Sequence, residues 1–295
     1  MAVLAFGAEK VRALELALGG KPPKKAADQS LAELKRHVSE RFERRKVDRA
    51  AMHPLLEGAQ APLLELVKAD STAAQNVKKR RNIILSRRKE RLRGKHPRMK
   101  IEPRMVTGSG FWLKAPPYDQ PFQSAAGDAT ASADVNAGVY SFSMTGNGSS
   151  AAASAGVGMW FFATMDDPAQ RIAALVDYDF RWLDSSTWYT AHNDGATNIW
   201  VWGNSENAWV LQQGGFFPSW SDGTGWLEDH GSGGDGSEQF GRESLEAFFP
   251  AAGNNWYFAW IWSDGSCDDS SGAFGFSFAQ QSQSMSVPFV VFGSL

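Results

Sequence analysis

Cysteine is nearly missing from this 295-residue chain. Cys267 stands alone, so no internal disulfide and no cysteine metal cluster can form. Its neighbours, Gly265, Asp268 and Asp269, predict a small turn residue. Long apolar runs are also lacking, and nothing approaches the roughly 18 residues of a membrane-spanning helix. The N-terminal stretch MAVLAFGAEKVRALELAL has no basic start, and Glu9, Lys10, Arg12 and Glu15 interrupt any apolar core of a secretory signal. Synthesis as a soluble cytoplasmic protein is therefore expected. Also absent are HExxH, GxSxG, GxxxxGK[ST] and any GxGxxG that opens a helix after a strand, which removes the common hydrolase and nucleotide signatures.

Two further shortages divide the chain. Residues 1–104 hold 26 Lys and Arg against 12 Asp and Glu but no Trp or Tyr; the remainder holds 4 against 20, with all twelve Trp and all five Tyr. A head of net +14 thus precedes a body of net −16. Such asymmetry points to an interaction, and predicts a domain boundary near residue 104.

The head reads as helix. SLAE at Ser30 forms a capping box with Glu33, and a helix starting there aligns Leu31, Leu34, Val38 and Phe42 before Pro54 ends it. Pro62 suits the first turn of a second helix, with a stripe through Leu63, Val67, Ala74, Val77 and Ile84 and a stop at Gly94. Stripes this narrow make a poor independent core, so the helices are expected to pack on the body, on copies of themselves or on a partner.

The densest positive charge lies in VKKRRNIILSRRKERLRGKHPRMK. A helix with one buried face solvates its other faces in this way. The same run, through Lys78, Lys79, Arg80, Arg81, Arg87, Arg88 and Lys89, can also dock electrostatically on an anionic surface. It has no aromatics to stack on bases, and an acidic body repels a polyanion, so an acidic protein surface, in this chain or in neighbouring copies, ranks above nucleic acid. A homo-oligomer fits that reading.

Beyond the Pro-rich joint near residue 103, alternation replaces helical spacing. GVYSFSM, VDYDFRW, NIWVWG, AWVLQ, AFGFSFAQ and SVPFVVFG read as strands between turn-rich clusters such as HNDGATN, SDGTG and GSGGDG. The small-residue tract from Ser124 to Gly158 fits strands that approach closely. Eight or more short strands predict a β-sandwich of jelly-roll or Greek-key type, giving segregated α+β domains: a helical head and an all-β body. NNWYFAWIWSDG sets Trp256, Phe258, Trp260 and Trp262 on one face of a strand and Tyr257, Ala259 and Ile261 on the other. A strand apolar on both faces belongs in the middle of a stack, so this ladder is expected to be core rather than a binding platform.

Trp220 and Trp226, in the loop-like FFPSWSDGTGWLEDHGSGGDG, are better ligand-binding candidates. His192 with Asp194, and His230 with Asp229, suggest an acid/base or metal pair, but turns prefer the same residues; Asp177 with Glu228 is a carboxylate pair of unknown separation. Asp222, Asp229 and Asp235 could supply oxygen ligands to Ca2+, as could Asp264, Asp268 and Asp269, although neither string matches a DxDxDG loop with its closing Glu. The sequence supports a non-enzymatic protein that docks by its head and presents its sandwich. An enzyme or delivered toxin with catalytic residues in the sandwich loops, and a carbohydrate-binding module, are the alternatives.

Overall fold

A computed structural model describes residues 8–72, 75–76, 79, 111–146, 149–186, 191–205, 208–224, 229–231, 239–269 and 277–293. Two helices come first. Helix α1 (Ala8–Gly19) ends where Gly20 takes a positive φ of 64° and its N–H donates to the Leu16 carbonyl at 3.0 Å, a left-handed stop that suits glycine. Helix α2 (Lys24–Ala69) follows Pro22 and Pro23 and runs for 46 residues, about 69 Å at ~1.5 Å per residue.

This corrects the expected helix boundaries. Ser30 is no cap but lies inside α2, its hydroxyl donating to the Ala27 carbonyl at 2.8 Å. Nor does Pro54 stop the helix or Pro62 begin another, since α2 runs through both. Both prolines are exposed, so the carbonyls they leave without a partner face water, which softens the usual penalty. No helix among the described residues is long and apolar enough to cross a membrane.

Twelve strands follow among the described residues: β1 (Phe111–Lys114), β2 (Gln120–Ala126), β3 (Ala129–Asp134), β4 (Val139–Gly146), β5 (Ser150–Ala163), β6 (Asp167–Ser186), β7 (Ala191–Ser205), β8 (Ala208–Thr224), β9 (Asp229–Gly231), β10 (Gln239–Ala251), β11 (Asn255–Asp269) and β12 (Ser277–Gly293). They form two antiparallel sheets. One has the order β10-β6-β12-β4-β3, with β1 beside β12 and β9 beside β6; the other has the order β2-β5-β11-β7-β8. The pairs are nested: β7 with β8, β6 with β10, β5 with β11 and β4 with β12. Rolling one long antiparallel ribbon into two sheets produces this nesting.

The β-sandwich after a helical head is thus as expected, and so is the inclusion of the Ser124–Gly158 tract, which runs from the end of β2 through β3 and β4 into β5. Several supposed turns are strand instead. HNDGATN lies within β7, Trp220 and Asp222 within β8, and Cys267 is fully buried on β11. Turn preference yields there to ladder pairing and buried polar bonding. Asn193 donates to the Leu183 carbonyl at 3.3 Å and to Asp184, while the Cys267 thiol points at the Asn193 amide oxygen. Burial pushes that thiol's pKa well up, which makes it a poor nucleophile.

The space between the sheets is apolar around Phe161, Tyr257, Ile261 and Phe292. Toward Asn193 it turns polar: Tyr140 and Ser263 oxygens lie 3.1 Å apart, and Gln283 donates to Thr197 at 3.3 Å. On the outer side of the five-stranded sheet lies a second apolar cluster, and α2 contributes Ala26, Ala27, Leu34 and Val38 to it. The molecule therefore has three layers, helix on sheet on sheet, and β11 is covered on both faces.

Candidate functional site

Among the described residues, the face between α2 and the five-stranded sheet joins a cluster of aromatic rings to charge pairs between head and body. Its floor follows from alternation. Phe258, Trp260 and Trp262 point outward from β11, each less than 2% exposed, and the register sets Trp260 beside Trp200 and Phe258 between Trp160 and Trp202. Room for these rings comes from β5, where Gly156 and Gly158 face them. A Cβ at Gly158 would lie 2.6 Å from the Phe258 ring, and one at Gly156 2.4 Å from Trp262. Phe122 occupies the space so opened, its ring 6.1 Å from both Trp260 and Trp262, edge to face.

Helix α2 crosses this floor alongside β11. Near the start of the crossing, Trp256 donates its indole N–H to the Gly19 carbonyl at 2.9 Å, and Trp260 donates to the Ser30 hydroxyl at 2.9 Å. His37 then stands edge-on to Trp200 at 4.9 Å and to Trp262 at 6.2 Å. Arg41 pairs with Asp264, and Arg45 with Asp194 and Ser266. Gln281, from the opposite sheet, donates to the Asp194 carbonyl at 3.1 Å and to that of Ser266, so both residues that receive Arg45 are gripped from inside the sandwich as well. At the other end Glu15 pairs with Lys114 at 2.9 Å and accepts the Phe162 N–H at 3.2 Å, while Arg12 reaches Asp119 at 3.3 Å.

The electrostatics are those of charges taken out of water. Burial raises the Asp264 carboxyl pKa, with Asp194 adding to it and Arg41, Arg45 and Asn198 opposing. Burial likewise raises Glu15 against the pull of Lys114, and depresses His37. Desolvation is the largest cause in all three. The indole nitrogens of Trp202, Trp209 and Trp262 have no hydrogen-bond partner, so the seam is stabilised by area more than by polar matching. Beside it a shallow cavity of about 310 Å3 opens between α2 and the edge of the sheet, over Val38, Phe42, Lys46, Ser124, Ala126 and Ala152.

The candidate residues read from the sequence fall unevenly. The ladder is core, as expected, but sealed by the chain's own head. Trp220 and Asp222 stand on β8 opposite Gly195 and Asn193, and Asp229 on β9 opposite Ser185, in backbone register; Trp226 and Asp235 lie outside the described residues. In the basic run only Lys79 is described, and it is exposed; Lys78, Arg80, Arg81, Arg87, Arg88 and Lys89 lie outside, as does Glu228. His192 is exposed on β7 while Asp194, two residues on, is taken by Arg45. Asp264, a possible Ca2+ ligand in the sequence, holds Arg41 instead. No group of three or more His, Cys, Asp or Glu residues suited to a metal occurs among the described residues. Sequence reasoning missed Arg41 and Arg45. The available signal was their spacing from Leu34 and Val38, which keeps all four on one side of the helix.

No protein-family model matches the chain, and no curated protein does. Among solved structures it is similar to TmCBM61 in complex with beta-1,4-galactotriose, at 9% identity and a TM-score of 0.23, covering 60% of this chain and 90% of that one. Eiger TNF from S. frugiperda follows at 8% identity and a TM-score of 0.20, covering 48% and 64%. The family 11 carbohydrate-binding module from Clostridium thermocellum, in complex with a mixed-linked tetrasaccharide, stands at 8% and 0.20, covering 64% and 99%. Overlaps this slight bear on neither ligand nor activity.

Proposed function

We propose that the chain is a non-enzymatic binding or assembly protein, with a basic head (residues 1–104) as its docking arm and an acidic sandwich (residues 105–295), read from its nested pairing as a jelly roll, as the displayed part. One observation carries this reading. Helix α2 is clamped to the sandwich by Arg41 and Arg45 and then continues to Ala69, its described side chains exposed, toward the basic run. A helix anchored at one end and exposed along its far half gives the chain an arm for carrying those basic residues to an acidic surface on another protein.

Neutralising Lys78, Lys79, Arg80, Arg81, Arg87, Arg88 and Lys89 together should abolish capture by an acidic protein surface, and added salt should mimic the change because exposed charge contacts are screened. A polyglutamate-coated surface serves as the probe, with duplex DNA beside it. Capture indifferent to salt and to the substitutions would remove the reading, and tighter binding of DNA by the full chain would put nucleic acid in its place. Carbohydrate binding, the alternative, would have to use Trp220 and Trp226, because the ladder tryptophans lie under α2.

A further inference from the structure

The projecting half of α2 is unlike the half on the sandwich. Most exposed positions of α2 before residue 47 are charged, among them Lys35, Arg36, Glu40, Glu43, Arg44 and Lys46. From there on, positions 47, 51, 55, 58, 62, 66 and 69 carry Val, Ala, Leu, Gly, Pro, Leu and Ala, and every one is exposed. Val47 and Leu55 are each 67% exposed and Leu66 69%. The spacing 4-4-3-4-4-3 averages about 3.67 residues per turn, close to a straight helix, so the seven stay in one strip. The charged residues of this segment, Asp48, Arg49, Glu57, Glu65 and Lys68, all fall outside these seven positions. A solvated helix face is normally charged; an apolar strip about 34 Å long is a contact surface.

We infer that this strip pairs with the same strip of a second copy, antiparallel about a two-fold axis at Gly58. The sequence is self-complementary about that point. Antiparallel pairing sets Leu66 against Ala51, Leu55 against Pro62 and Val47 against Ala69, so each exposed large side chain meets a smaller one, and Gly58 allows the two backbones their closest approach at the centre. An added Cβ at Gly58 meets nothing within 4 Å in the single chain, so nothing in the fold itself demands glycine there. One strip, a single helix wide, is small for a permanent interface, and the dimer is therefore reversible and concentration dependent. In it the two sandwiches sit at opposite ends of a rod built from the crossed arms.

The inference deepens the reading of the head as an assembly arm, but the two fail separately. Neutralising the basic run leaves this dimer intact, and breaking the strip leaves salt-sensitive capture intact. The experiment is sedimentation of the full-length protein across a wide range of concentration, for the natural chain and for Leu55→Glu and Leu66→Glu. Both leucines are exposed, so neither change disturbs folding. Each should weaken self-association by about tenfold or more, while high salt should not. Because Cys267 is buried, Gly58→Cys gives a chain with one accessible thiol, and mild oxidation should link it efficiently to its copy, whereas Val47→Cys and Ala69→Cys should each link poorly to themselves. A monomer at all concentrations, or equal self-linking at positions 47, 58 and 69, would overturn the antiparallel pairing.

Discussion

Leu34→Ala tests whether the head is part of the fold or merely rests upon it. Leu34 is fully buried in the cluster that holds Trp260, Trp262 and Phe122, so truncating it removes its contacts and leaves a gap between helix and sheet. Leu→Ala changes at such sites cost about 2–5 kcal/mol, more where the walls cannot collapse. Here one wall is a sheet of interlocked indole rings, which puts the expectation near about 3 kcal/mol. For a domain of this size that lowers Tm by roughly 6–12 °C. Urea and thermal unfolding should be followed by tryptophan fluorescence, since the indoles beneath Leu34 report the opening of this seam directly. Leu66→Ala, on the exposed strip, is the control and should stay within about 0.5 kcal/mol. If Leu34→Ala melts with the natural chain and the indole emission stays unshifted, α2 does not seal the ladder. The aromatic face would then be a platform after all.

Other perturbations follow from the same seam. A chain starting at Thr107 would uncover Phe258, Trp260 and Trp262; it should bind apolar dyes and aggregate, and a clean dye-free cooperative melt would instead mark the sandwich as an independent domain. Ser30→Ala and Trp260→Phe should prove non-additive in a double-mutant cycle, because one hydrogen bond of about 0.5–1.5 kcal/mol is removed by either. Replacing Trp220 and Trp226 together should leave stability nearly unchanged and weaken binding to an oligosaccharide array if the glycan alternative is right; a large loss of stability would show them to be core. Asp264 gives a pH test whose sign is fixed by its environment. Its folded pKa is raised, so the folded state takes up this proton more readily than the unfolded chain, and stability from this group grows as pH falls through the raised value toward the ordinary carboxylate range. Asp264→Asn should abolish that gain, read as the difference between the two stability curves; a difference that shrinks as pH rises above neutral would refute the burial argument.

The ladder, the sandwich and the composition break could be read from sequence because each is a periodic or bulk property. Trp256 to Trp262 alternate with Tyr257, Ala259 and Ile261, and a strand apolar on both faces requires two covers wherever it sits. What covered the outer face could not be read, since it depends on which element the fold brings back across residues 24–45. The capping box at Ser30 was a plausible local signal overruled at long range, as the same hydroxyl serves Trp260 instead. The turns assigned to HNDGATN and SDGSCDD failed for a related reason: Asn193, Asp194 and Asp264 are turn formers in isolation, but here their side chains are claimed by Asp184, Arg45 and Arg41. Gly156 and Gly158 carried a legible hint, for adjacent small residues in a strand signal a close approach from the next layer.

The match between α2 and β11 explains why both change character at the same place. His37 faces Trp262, Arg41 faces Asp264 and Arg45 faces Ser266: four helix residues, about 6 Å, against two strand residues, about 6.8 Å. From His37 onward each turn of helix thus meets one outward side chain of the strand, and over this stretch the two sequences can be compared turn by turn. Up to Trp262 the strand is aromatic, and the helix offers Ala26, Ala27, Leu34 and Val38. Beyond it the strand carries Asp264 and Ser266, and the helix offers arginine. A slip of one turn in one direction would bury Arg41 against Trp262, and in the other would leave Asp264 facing His37, in either case at the cost of stranding a charge. Buried ion pairs contribute little net strength once desolvation is counted, and desolvation outweighs the pull of Arg41 on the Asp264 carboxyl. Their contribution is register: the aromatic floor supplies most of the attraction, and the two arginine pairs, that of Arg45 held from behind by Gln281, decide where along the floor the helix stops.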